Sequence, residues 1–149
     1  MSKLLVAMDF TDVSRPACRF AAQYALGLEA GEIYFLHVLG GDAPAGDDAA
    51  LAPIEQAIAR MRGVAEQELV TADGRPLPEA VSLRYRAVYG SPDEQILRVA
   101  REHDVDAIVV GTSSRQGLER MLLGSVAESV VRGAHCTVMV VKSPSNAPR

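Results

Sequence analysis

Leu4 to Met8, Ile33 to Val38, Ala107 to Val110 and Thr137 to Val141 are short runs in which apolar residues follow one another with little polar interruption. The unbroken run Leu4 to Met8 suits a strand covered on both faces, as in parallel sheets, and Ala107 to Val110 is another fully apolar strand. Val81 to Val88 behaves differently: it alternates apolar and polar, which predicts a half-exposed strand at a sheet edge. Between these segments the apolar period lengthens to that of a helix. Ala17, Phe20, Ala21, Tyr24, Ala25 and Leu28 recur at helical spacing, opened by a Ser14 cap and Pro16 and stopped at Gly31. Leu51, Ile54, Ile58, Met61, Ala65 and Leu69 mark a longer second helix. Ile96, Leu97 and Ala100 form the buried stripe of a third, and Val126, Val130 and Val131 that of a fourth. Ser91-Pro92-Asp93-Glu94 and Ser125-Val126-Ala127-Glu128 both read as capping boxes at helix starts.

Strand and helix therefore alternate from one end to the other. That order predicts one α/β domain over residues 1–142, a five-stranded parallel sheet with helices on both faces and strand order 3-2-1-4-5, Rossmann-like. Ligands of such sheets sit outside the carboxyl ends of the strands. Gly40 to Asp48 reads as a mobile surface loop, and residues 143–149 as a disordered tail.

Composition narrows the partners. With 149 residues, 48% apolar and 23% charged, the chain is an ordinary globular one. A net charge of −4 and a pI near 5.3 argue against a nucleic-acid partner or an anionic membrane surface. No apolar run approaches the ~18 residues of a membrane span, and the first residues do not read as a signal peptide, so a cytoplasmic location is expected. Cys18 and Cys136 lie in no CxxC pair and read as two reduced, small apolar residues, with no metal site expected.

Three loops converge on the carboxyl edge: residues 9–14, 37–41 and 111–125. The last carries the most chemistry. Gly111 ends a buried strand, and Gly124-Ser125 opens a helix whose first amides and positive dipole end suit an anion. Glycine lets a phosphate approach the main chain, Ser113 and Ser125 offer hydroxyls, and Arg115 adds charge. A plain loop with ordinary caps reads the same residues without a ligand.

The chain, over roughly residues 3–142, resembles the universal stress protein family. Its nucleotide-binding branch carries Gly-x2-Gly-x9-Gly-Ser/Thr between the fourth strand and the fourth helix. The matching positions here are Gly111, Ser114, Gly124 and Ser125, with the nine-residue spacer Arg115 to Leu123 intact. The opening strand running into Asp9, the Leu36-His37-Val38 strand end, the Gly90-Ser91-Pro92 turn and the valine-rich last strand are similar too. The resemblance implies that Ala7, Met8, Asp9 and Val38 flank adenine and ribose, with Val110 and Gly111 beneath ribose and phosphates. Ser114, Gly124, Ser125, Val126 and Ala127 would hold the phosphate chain of ATP or AMP, with or without Mg2+. Two positions depart from the pattern: Ser114 replaces the second glycine, and Ala127 stands where a hydroxyl is often found. A serine held in a left-handed backbone at position 114 would cost about 1–2 kcal/mol, roughly a tenfold loss in affinity.

Other readings fare less well. A receiver-type signalling domain shares the alternation, but its third strand should end in an aspartate, and here the stretch is Val88-Tyr89-Gly90-Ser91. A hydrolase needs a nucleophile with a base. No Gly-x-Ser-x-Gly elbow or Gly-x4-Gly-Lys loop is present, and His37, His103 and His135 sit at structural positions. Catalysis beyond slow ATP hydrolysis is therefore not expected. A nucleotide-free dimeric adaptor of the same fold stays open as the alternative to a nucleotide-binding stress regulator. Val138, Met139, Val140 and Val141 form an uncharged edge expected to pair in a homodimer.

Overall fold

In the computed structural model, residues 2–11, 13–27, 30–71, 73–112 and 123–142 are described. They form β1 (Ser2–Ala7), α1 (Ser14–Gly27), β2 (Ala30–Gly40), α2 (Asp47–Glu68), β3 (Ser82–Gly90), α3 (Pro92–Glu102), β4 (Ala107–Thr112), α4 (Ser125–Gly133) and β5 (Thr137–Lys142). The five strands make one sheet in the order β3-β2-β1-β4-β5, and every strand pair is parallel. This is the architecture that the alternation of periods predicts, with β1 central and the half-polar β3 at an edge.

Successive residues of a strand face opposite sides of a sheet, and both sides are covered here. Leu4, Val6, Ile33, Phe35 and Val109 pack with α1 and α2. Leu5, Leu36 and Ile108 pack with Ile96, Val99 and Ala100 of α3 and Val130 of α4. On the first side Ala17, Ala21, Ala22 and Ala25 turn an alanine face to the sheet, so α1 lies close against it. Phe35 fills the space beneath, fully buried and stacked on Tyr85 with centroids 5.3 Å apart.

The helix pairs are clasped differently. Buried Glu68 at the end of α2 accepts from Arg15 at 3.0 Å and from Arg19, both on α1. Between α3 and α4, the Ser129 hydroxyl donates to Asp93 Oδ2 at 2.7 Å.

Several local expectations need correction. Ser14 is the first helical residue of α1 rather than a cap, and Gly31 lies inside β2 instead of stopping the helix; Leu28 lies outside the described residues. Neither capping box forms. The Ser91 hydroxyl donates to Asp93 at 2.7 Å, and α4 is capped by Gly124, so Ser125 is already helical. Phe20, Leu51 and Val131, read as core, are 39%, 51% and 45% exposed. The 40–48 segment is exposed throughout, as a surface loop, with Gly41 bridging Gly90 at one end and α2 beginning at Asp47 at the other. Residues 143–149 lie outside the described residues.

Candidate functional site

A gap opens where β1 parts from β4. The two strands pair only from Leu4–Ala107 to Val6–Val109, whereas β1 stays with β2 as far as Ala7–Leu36 and the Met8 amide donates to the Leu36 carbonyl at 2.8 Å. Strand order reverses at this point, so the chain leaves the sheet in opposite directions on either side and a crevice is left uncovered. The resulting cleft encloses about 470 Å³, counting the part open to solvent. Ala7, Met8, Asp9 and Ser14 wall it on one side, Leu36 and Val38 on another, Pro92 and Ile96 of α3 on a third, with Val110 and Gly111 as the floor. An open cleft at a strand-order reversal, mostly apolar with a few polar groups, is of the kind that holds a small organic ligand.

Gly111 is required by the packing. A Cβ there would lie 2.4 Å from Cγ1 of Val13, a buried residue at the start of α1. Glycine thus lets the β1–α1 turn lie down on β4 and close the cleft wall.

That turn is densely bonded. Asp9 Oδ1 accepts from the Thr11 amide at 3.0 Å, the Thr11 hydroxyl at 2.6 Å and the Ser14 hydroxyl at 3.1 Å. Phe10 sits in the left-handed region at φ 62°, its ring 4.5 Å from that of His37 and beneath the Arg60 guanidinium at 4.3 Å. The His37 ring contacts the Met8 carbonyl through Nδ1 at 2.6 Å, so His37 acts as a rim histidine bracing β1 against β2. Behind the wall, Cys18 lies against Met8 sulfur to sulfur at 4.0 Å. Burial, reinforced by Glu68, pushes its thiol up to about 12, which leaves it protonated and a poor nucleophile at neutral pH.

Of the residues expected at a site, Ala7, Met8, Asp9, Val38, Val110 and Gly111 line this cleft together. Ser113, Ser114 and Arg115 lie outside the described residues. Gly124, Ser125, Val126 and Ala127 form the start of α4 and are not among the lining residues. They are tied to the floor through Thr112, which follows Gly111 and whose Oγ1 accepts from the Gly124 amide at 2.9 Å. That amide is therefore engaged, contrary to the expectation of a wholly open helix start. The amides of Ser125, Val126 and Ala127 have no hydrogen-bond partner among the described residues. Ala127 is buried, so its side chain serves the core.

Ser14, Leu36, Pro92 and Ile96 were not singled out as site residues. Ser14 had a signal that helix capping absorbed, a hydroxyl five residues beyond a strand-ending aspartate. Pro92 and Ile96 reach the cleft only because α3 packs on β2 and β3, which sets its first turn at the cleft's edge. Among the described residues no group of three or more His, Cys, Asp or Glu side chains is placed to hold a metal, and no helix is long and apolar enough to cross a membrane.

Residues 1–142 match the model of the universal stress protein family. Universal stress protein MJ0531 of Methanocaldococcus jannaschii is 34% identical over 146 residues, covering 95% of this chain and 82% of that protein. Universal stress protein YxiE of Bacillus subtilis is 31% identical over 148 residues, covering 95% and 99%. Among solved structures, the protein MJ0577 superposes with a TM-score of 0.74 at 26% identity over 98% of each chain. A universal stress protein in complex with cAMP and one from Archaeoglobus fulgidus in complex with dAMP share the fold at 23% identity, with TM-scores of 0.69 and 0.65. The first alignment covers 96% of this chain and 98% of that one, the second 95% and 98%.

Proposed function

The chain belongs to the universal stress protein family, and from that premise we propose that it binds an adenine nucleotide, ATP or AMP, in the cleft between β1 and β4. The observation that carries this reading is the cleft itself. Ala7, Met8, Asp9, Val38, Val110 and Gly111 converge from three strands on one apolar slot with a carboxylate at its wall. A flat purine buries its faces against such side chains, and a ribose finds a hydrogen-bond acceptor in Asp9. In this reading the phosphates lie beyond Gly111, toward the amides of Ser125, Val126 and Ala127 at the positive end of α4. Ser113, Ser114 and Arg115 complete that end, and Mg2+ accompanies ATP. The complexes of relatives with cAMP and dAMP support an adenine ligand without choosing among its phosphorylated forms.

The role is regulatory binding in the cytoplasm during stress rather than turnover, and the protein works as a homodimer. β5 is an edge strand, and Val138, Met139, Val140 and Val141 on it are only half-buried, which favours pairing with a second copy. Isothermal titration with ATP and AMP, each with and without Mg2+, tests the ligand; saturable binding at micromolar concentration is expected. No heat at millimolar nucleotide, with no nucleotide carried through purification, would leave the adaptor reading, which the engagement of the Gly124 amide by Thr112 favours. Val140→Lys places a charge on the pairing edge and should yield a monomer in analytical ultracentrifugation. A wild type already monomeric at micromolar concentration removes the dimer.

A further inference from the structure

Ser14 is a polar residue only 4% exposed, and its hydroxyl turns away from its own helix into the β1–α1 turn. It accepts from the amides of Asp9 at 3.3 Å and Phe10 at 3.1 Å and donates to Asp9 Oδ1 at 3.1 Å. Thr11 adds its amide and its hydroxyl to that same oxygen. Three donors on one carboxylate oxygen exceed its two lone-pair directions, so a fourth is turned away. Asp9 Oδ2, by contrast, accepts from none of the described residues. Asp9 and Ser14 both line the cleft. Phe10 next to them adopts φ 62°, a conformation a bulky residue keeps only where its surroundings impose it, and the bond from its amide to Ser14 is one such constraint.

We infer that Ser14 is a positioning residue of the cleft: with Thr11 it locks Asp9 by Oδ1, so that Oδ2 is the acceptor offered to the occupant. The site then selects ligands that present an O–H or N–H donor at this wall. This inference rests on the nucleotide reading above. In an adenine nucleotide that donor comes from a ribose hydroxyl or from the 6-amino group.

The test compares AMP, 2′,3′-dideoxy-AMP and IMP, which lacks the 6-amino group, by isothermal titration. The proteins are wild type, Ser14→Ala, Asp9→Asn and the double variant. Ser14→Ala should weaken AMP about tenfold, the analogue missing the recognised donor about twofold or less, and should add nothing in the Asp9→Asn background. The spared analogue identifies the donor. Equal weakening of all three ligands, or the same loss in the Asp9→Asn background, overturns the inference.

A ligand-free readout is hydrogen exchange of the Thr11 amide, which bonds to Asp9 and not to Ser14. It should speed up about fivefold in Ser14→Ala if Ser14 holds the carboxylate, and unchanged exchange overturns that. A wild type that binds none of the three ligands ends the nucleotide reading, and the Thr11 amide still decides whether Ser14 positions Asp9. Should Ser14→Ala fail to fold, Thr11→Val removes one donor from an exposed site and should follow the same ligand pattern at about threefold; no change there overturns the inference.

Discussion

The two faces of the sheet are filled by different means. On the α1–α2 face small residues bring a helix close: Ala17, Ala21, Ala22 and Ala25 meet the sheet, and Gly111 admits Val13. On the α3–α4 face larger aliphatic side chains meet, Leu36 and Ile108 with Ile96, Val99 and Val130. The clasps differ likewise, a carboxylate between two guanidinium groups on one face and a carboxylate holding two hydroxyls on the other. Close approach with small residues leaves little room to adjust, whereas long side chains can shift their ends. The cleft lies where the two regimes meet, with its Asp9–Ser14 wall from the tight side and its Pro92–Ile96 wall from the looser one.

The largest test of this contrast empties each face in turn. Phe35 and Leu36 are neighbours in β2 that point to opposite faces, both essentially buried. Phe35→Ala should cost about 3–5 kcal/mol and Leu36→Ala about 2–4 kcal/mol in urea unfolding, because alanines around Phe35 cannot collapse into the hole. Equal costs would argue that the faces yield alike.

Added volume gives the next effect. Gly111→Ala puts a methyl 2.4 Å from Val13 Cγ1, on a short, branched, buried side chain, and should cost about 1–3 kcal/mol while narrowing the cleft floor. Gly133→Ala is crowded only by Cδ1 of Leu97 at 2.6 Å, with Cδ2 and Cγ at ordinary contact, so the far end of a half-buried side chain can give and the cost should stay below about 1 kcal/mol. Comparable losses from both would remove the distinction in rigidity.

The clasps supply smaller effects. The hydrogen bond from Arg19, with that from Arg15 behind it, holds the Glu68 carboxyl below the usual range despite the upward push of burial. The Ser129 and then the Ser91 hydroxyl do the same for Asp93. A folded-state value below the unfolded one stabilises above the ordinary carboxylate range, near 4, and that stability is lost as pH falls through the lowered value. Glu68→Gln and Asp93→Asn should each flatten the fall in urea midpoint between about pH 5 and pH 2. Salt separates them. Raising ionic strength at neutral pH should weaken the Glu68 clasp, whose arginines are exposed, and leave the neutral-donor Asp93 clasp unchanged. A salt response that persists in Glu68→Gln would place it elsewhere.

Much of the fold was legible because its signals are local. Apolar runs mark β1, β2 and β4 as strands covered on both sides and the alternation in Val81 to Val88 marks the β3 edge, whereas the equally apolar run of β5 lies half-buried at the other edge. The edge at which the cleft opens, and Gly111 on it, were legible from strand order, which dictates where a parallel sheet opens, whereas Asp9 and Val38 were assigned by the family resemblance. Ser91 is the cap of α3 with Pro92 in its first position, but its hydroxyl goes to Asp93 rather than to a capping bond, and at α4 Gly124 takes the cap position expected of Ser125. Val131 and Phe20 keep helical spacing but are exposed.

Periodicity and the positions of glycine, proline and aspartate thus determined the elements, their order and the edge of the sheet at which chemistry gathers, because each depends on neighbours a few residues away. Only the folded arrangement decided what closes the gap between β1 and β4, which oxygen of Asp9 is occupied, and that Thr112 takes the Gly124 amide. The first and last bring together groups from different elements, and even the Asp9 contacts, though only two to five residues away, depend on how the turn is folded, because a hydroxyl bonds to whichever donor or acceptor the packing brings within about 3 Å.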